Sequence, residues 1–192
     1  MFVLESVTLR PLEISDSDRM YELQSDYQLD ILASWGSRPS RSGFDSWMIK
    51  QTETHEDFQR FGIEFGGVLV GDIQLGLIDR DNRHAALGIV IGDRSVWGKG
   101  VGKLACRIML DYAFTVRNLE RIYAESYAFN IPSRRFLESV GFTLEGIHRQ
   151  HEVHNGLRHD MHYYGYLKDE FYARYPESLF SLPEFTDKTQ TD

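Results

Sequence analysis

Apolar and polar residues alternate from Val3 to Arg10, a period of two that predicts a strand stopped by Pro11. Ser15-Asp16-Ser17-Asp18 then offers a helix N-cap to a segment that runs to about Ser25. Between Tyr27 and Lys50 the apolar residues Leu29, Ile31, Leu32, Trp35, Phe44, Trp47, Met48 and Ile49 lie on either side of the breaker Gly36-Ser37-Arg38-Pro39, which predicts two short helices. Trp35 and Trp47 read there as core residues before substrate contacts. Phe61 to Phe65, Val68 to Leu77 and Ala85 to Ile91 read as consecutive antiparallel strands turned at Gly66-Gly67 and Asp81-Asn82. Gly88 and Gly92 are expected to mark a bulge that splays the third of these strands from the next. A helical period follows from about Gly102 to Arg117, with Leu104, Ile108, Met109, Tyr112, Ala113 and Val116 on one face. Then come a strand at Arg121 to Tyr127, a helix ending at Gly141-Phe142, and a hairpin turned at Asn155-Gly156. With those two residues filling the turn, 154 faces 157, Glu152 faces His159 and His151 faces Asp160.

The junction between the third strand and the long helix carries the strongest chemical signal, Val96-Trp97-Gly98-Lys99-Gly100-Val101-Gly102-Lys103. Glycines at alternate positions permit tight turning and close backbone approach, and the helix N-terminus presents unpaired N–H donors to an anion. A phosphate or pyrophosphate fits such a cradle. The P-loop spacing is absent, and so are the third glycine and the ribose-binding acid of the dinucleotide fingerprint.

Three stretches together resemble the GNAT family of acetyl-coenzyme A-dependent N-acetyltransferases. They are Leu9-Arg10-Pro11-Leu12, Trp97-Gly98-Lys99-Gly100-Val101-Gly102, and Asn130-x-x-Ser133 followed by Leu137-Glu138-Ser139-Val140-Gly141-Phe142. Within the family the chain looks most like the ribosomal-protein N-terminal acetyltransferase branch. The resemblance implies an α+β fold with a mixed, mostly antiparallel sheet of six to seven strands and about four helices, splayed at the cofactor strand. It implies acetyl-CoA as cofactor, gripped at the pyrophosphate by the loop from Trp97 and Gly98 to Lys103, with Lys99 and Lys103 as nearby positive charge. It further implies that Ile89, Val90 and Ile91 offer main-chain groups to the pantetheine arm, and that Asn130 hydrogen-bonds that arm. Ser133 resembles the branch's proposed proton donor to the departing thiolate; read from the residues alone it is a helix cap. Glu152 matches the proposed general base, against the plainer reading of a solvated strand carboxylate. Tyr163 and Tyr164 stand as alternative acids. One departure is that Leu137 occupies the position where many members of the family carry an acidic tyrosine.

At 192 residues and 42% hydrophobic content the chain predicts one domain over residues 1–175, with a partly disordered tail from Pro176 to Asp192. A formal charge of −8 argues against a nucleic-acid partner and suits an acceptor that arrives as a cation, although it equally serves solubility. Cys106 is the single cysteine and reads as a buried, inert thiol. No apolar run is long enough to cross a membrane and Glu5 interrupts the first apolar residues, so the expectation is a cytoplasmic protein. A homodimer is compatible with it. Five of the seven histidines lie in the last hairpin. Residues at i and i+3 of a regular strand point to opposite faces, so no metal site is expected from His148, His151 and His154. The resemblance implies direct acetyl transfer in a ternary complex to a protein N-terminal α-amine, with a small cationic amine, a polyamine or an aminated antibiotic, as the alternative acceptor. A non-catalytic acyl-CoA-binding module is the third reading.

Overall fold

The computed structural model describes residues 1–33, 39–53 and 55–181. Trp35 and the breaker residues 36–38 lie outside the described residues, as does the end of the tail from 182 onward. Among those residues eight strands form one sheet: β1 (Phe2–Leu4), β2 (Val7–Pro11), β3 (Gln59–Phe65), β4 (Val68–Asp79), β5 (His84–Ile91), β6 (Arg121–Tyr127), β7 (Thr143–His154) and β8 (Leu157–Leu167). Six α-helices accompany them among the same residues: α1 (Ser17–Leu23), α2 (Tyr27–Ala33), α3 (Arg41–Gln51), α4 (Val101–Asp111), α5 (Ile131–Val140) and α6 (Lys168–Arg174). The expected class holds, with more elements than expected. The extra strand arises because Glu5, at φ 54°, turns the first apolar run into a two-strand hairpin.

The strand order is β1-β2-β3-β4-β5-β6-β8-β7. Every neighbouring pair is antiparallel except β5 and β6, which run parallel and pair only from His84 with Arg121 to Ala86 with Tyr123. Beyond Ala86 the strands part. β5 continues to Ile91 on its β4 side, and β6 continues to Tyr127 on its β8 side, leaving two facing edges unpaired. The expected splay is present, but its expected cause is not. β5 pairs with β4 without interruption from Ala86 to Ile91, and the irregularity lies on β4 between Gly76 and Asp79, where Leu77 takes φ 51°. Gly88 and Gly92 answer to packing instead: a Cβ on Gly88 would meet the Gln74 side chain at 2.9 Å, and one on Gly92 would meet Leu23 at 2.8 Å.

Ile63, Ile73, Leu75, Ala85 and Leu87 bury one face of the sheet against α4, whose Val101, Ala105, Cys106, Ile108 and Met109 recur at helical spacing. The alternate residues of β3 and β4 face α1 and α3, where Met20, Leu23, Phe44 and Met48 form a second apolar cluster with Leu12 and Leu69. Trp47 packs on this cluster against Phe44.

In the last hairpin Asn155 and Gly156 both take positive φ, the geometry of a two-residue turn, and 154 pairs with 157 and Glu152 with His159 as expected. The pairing of His151 with Asp160 does not form. The register shifts between His148 and Glu152, Gln150 takes φ 53°, and its N–H donates to the Asp160 carboxylate at 2.8 Å. This bulge also corrects the geometric argument about the histidines, since it brings the rings of His148 and His151 to 5.2 Å. Among the described residues no three metal-ligating side chains gather.

Candidate active site

The loop after β5 is built from its own short-range bonds. The Asp93 side chain caps Ser95 N–H, and the same carboxylate takes a bond from Arg19 on α1 at 2.8 Å. Those bonds from Ser95 and Arg19 hold the Asp93 carboxyl below its ordinary range. Trp97 donates its indole N–H to the Ile91 carbonyl at 3.0 Å, and Arg94, paired with Asp26 at 2.6 Å, lies over its ring. Trp97 is thus a strut between the loop and the end of β5.

Gly98 and Gly100 take φ 77° and 82°, and Gly100 caps α4. A Cβ on either would meet nothing within 4 Å, so backbone conformation and not space requires glycine there. Gly102 differs: it lies inside α4, and a Cβ would come within 3.2 Å of Phe136 on α5. Lys99 N–H bonds to Val96, and Lys103 and Leu104 N–H bond to Gly100. The N–H groups of Gly98, Gly100, Val101 and Gly102 have no acceptor among the described residues. Lys99 and Lys103 are exposed and form no ion pair among those residues. An anion can therefore be received by main-chain donors at a helix N-terminus with two lysines beside it.

Along β5, Gly92 N–H bonds to Val70 on β4 and Arg83 carbonyl bonds toward β6. Main-chain groups alternate sides along a strand. Leu87, Ile89 and Ile91 therefore direct theirs into the opening between β5 and β6, and Val90 directs its own toward Asp72 of β4. This corrects the set of three expected from the sequence: Val90 is not free to offer main-chain groups.

Asn130, and not Ser133, caps α5. Its Oδ1 accepts Ser133 N–H at 3.1 Å and its Nδ2 donates to Leu32 on α2 at 3.1 Å, which leaves one amide proton unengaged. The capping explanation for Ser133 is thereby removed, and its half-buried hydroxyl forms no hydrogen bond with any described residue. Glu152 lies 3.6 Å from His151 Nε2, and its ladder partner His159 turns its ring edge to Phe129 at 4.7 Å. His154 packs on Tyr127 and Phe129 as well, so the hairpin tip covers the end of β6 that leads to Asn130. Tyr164 is fully buried with its hydroxyl on Glu138, whereas Tyr163 lies beside His148 with ring centres 4.1 Å apart. Leu137 is buried core, and Cys106 is too, its thiol pushed up to about 12 by burial. Arg10, in the first motif, ties β2 to Glu64 of β3 and to Asp16, each at 2.7 Å.

Two carboxylates escaped the sequence reading. Asp72 on β4 and Glu125 on β6 alternate with core residues Ile73 and Ala124, so both face the side of the sheet opposite α4. Their only sequence signal is a charged residue inside a strand otherwise rich in apolar residues.

Residues 6–143 match the family model for an acetyltransferase (GNAT) domain. An uncharacterized N-acetyltransferase p20 of Bacillus licheniformis is 31% identical over 173 residues, covering 87% of this chain and 96% of that one. The putative ribosomal N-acetyltransferase YdaF of Bacillus subtilis (strain 168) is 34% identical over 175 residues, covering 88% and 95%. The crystal structure of a spermidine N-acetyltransferase from Vibrio cholerae, in complex with CoA and spermine, superimposes with a TM-score of 0.77 at 25% identity, over 88% of this chain and 99% of that one. With its unengaged loop amides and parted strands, the chain belongs to the GNAT acetyltransferase family and is an acetyl-CoA-dependent N-acetyltransferase.

Proposed function

We propose that this enzyme acetylates the α-amine at a protein N-terminus. The parting of β5 from β6 beside the four unengaged loop amides carries the catalytic reading, and similarity to the putative ribosomal enzyme favours this acceptor. Acetyl-CoA supplies the activated acetyl thioester. The amides of Gly98, Gly100, Val101 and Gly102 hold its pyrophosphate, with Lys99 and Lys103 adding charge and Trp97 fixing the loop. Ile89 and Ile91 would receive the pantetheine arm as an added strand; Trp97 engages the Ile91 carbonyl, so the N–H of Ile91 is the group that would polarise the thioester carbonyl. The remaining amide proton of Asn130 is available to the same arm. Ser133 protonates the departing thiolate, and Glu152 in the hairpin tip assists removal of the acceptor's proton.

A polyamine acceptor is the second reading, favoured by Asp72 and Glu125 on one face of the sheet and by the net charge of −8. Thiol release from acetyl-CoA, measured with unblocked peptides and with spermidine, decides between them. Turnover of peptides is expected; turnover of spermidine without turnover of any peptide overturns the choice.

A further inference from the structure

A cavity of about 390 Å³ lies where the helical turn Tyr112–Val116, which continues α4, meets the turn from β4 into β5. Its apolar floor comes from Val116 and the buried Ile78 and Leu119. Its polar lining is cationic: Arg80, Arg83 and Arg117, with Asn118 among them and no carboxylate. In a chain with 29 acidic and 21 basic residues, such a lining runs against the composition. The fold does not consume these guanidinium groups. Arg117 is half-buried, and its side chain forms no hydrogen bond or ion pair with any described residue. Arg80 stands 3.7 Å from Glu56, beyond hydrogen-bond distance, with both side chains exposed. Arg83 is engaged in part: Nε and Nη2 bond to the main-chain and side-chain oxygens of Asn118 at 2.9 and 2.7 Å, and Nη2 also meets Glu120 at 2.5 Å. Nη1 of Arg83 and Nδ2 of Asn118 are left as further donors.

Arg83 and Asn118 both take φ 55°, a conformation that few residues other than glycine and asparagine adopt. The bonds between them lock the β4–β5 turn to the segment that enters β6, so the wall of the cavity is set before a ligand arrives. The planar fork of arginine matches phosphate oxygens in pairs of bonds, and the apolar floor suits a hydrocarbon body attached to that phosphate. The volume falls within the range of small-molecule sites. We propose that this cavity is a second ligand site, which takes a small phosphate monoester with an apolar substituent and is separate from the acetyl-CoA cleft. It stands at the other end of the α4 run from the loop amides, about 20 Å away at ~1.5 Å per residue. It also adjoins the short ladder from His84 with Arg121 to Ala86 with Tyr123, the closed end of the wedge between β5 and β6. A bound anion there bridges the residues that lead into the two strands. The inference does not depend on which amine the enzyme acetylates.

Calorimetry with phenyl phosphate on protein saturated with CoA, whose loop amides are then occupied, reads this site alone. One equivalent should bind, at least about threefold more tightly than inorganic phosphate, which lacks the apolar body, and more weakly as salt is raised. Arg117→Ala should weaken phenyl phosphate by about tenfold or more with CoA affinity unchanged. Arg117→Lys, which keeps the charge without the fork, should fall between that variant and wild type. Arg80→Ala should weaken binding by a smaller factor and serves as the second variant. Lys50→Ala, an equal loss of charge at the end of α3, should leave binding unchanged. No binding to the CoA-loaded wild type, equal affinity in Arg117→Ala, or an equal loss in Lys50→Ala overturns the proposal. So does a glutamate-rich peptide that competes with phenyl phosphate and binds more tightly, which would make the cavity a docking surface for an acidic protein segment.

Discussion

At the scale of single residues, the loop glycines divide into two kinds that look alike in the sequence. Gly98 and Gly100 are left-handed with open space beside them, whereas Gly102 is an ordinary helical residue pressed against Phe136. A β-branched residue forced to positive φ costs about 1–3 kcal/mol and turns the neighbouring amides out of line. Gly100→Val is therefore expected to weaken CoA binding about tenfold or more, and Gly100→Asn, which tolerates that conformation, to retain most of it. Lys99→Ala, at an exposed side chain, should cost about threefold or less. Calorimetry with CoA checks all three, and equal losses in the Val and Asn variants would show that conformation is not what the glycine supplies.

At the scale of elements, the β6–α5 corner is held by one side chain. Asn130 caps α5 and reaches back to Leu32, joining the helix that follows the cofactor strands to α2 on the other side of the chain's midpoint. Asn130→Ala removes both bonds; a cap is worth about 1 kcal/mol, so Tm without ligand should fall by about 2–4 °C. Asn130→Asp should restore the cap, which needs only an acceptor, but not the bond to Leu32, which needs the amide donor. The sequence marked Asn130-x-x-Ser133 as one motif but assigned the cap to the serine. Both residue types cap well, and only the backbone path, with Pro132 inside the first turn, settles which one stands at the boundary.

For the whole molecule, the C-terminal segment joins the fold through Asp111. This buried carboxylate at the end of α4 accepts from Thr115 at 2.9 Å, Tyr172 at 3.1 Å, Ser178 at 2.8 Å and the main chain of Leu179 at 2.5 Å. Phe180 then packs on Phe2 and Tyr112, so the expected tail is held as far as Ser181. Asp111→Ala leaves the Leu179 N–H without its acceptor and the hydroxyls of Thr115, Tyr172 and Ser178 with only one another; stability should fall by about 2–3 kcal/mol, and limited proteolysis should open cleavage after Tyr175. Resistance equal to wild type would mean that the aromatic contacts alone hold the segment. The sequence by itself determined most of the strands and helices, the turn residues and the phosphate-type loop, because periodicity and backbone preference are local properties that each segment carries alone. Only the tertiary structure decided where β5 leaves β6, that Val90 turns its main chain toward β4, that a bulge gathers His148 and His151, and that Asp72 is buried beside Arg60. Those features depend on which strand lies beside which and on what covers a side chain, and the non-sequential order β5-β6-β8-β7 places neighbours that no local pattern encodes.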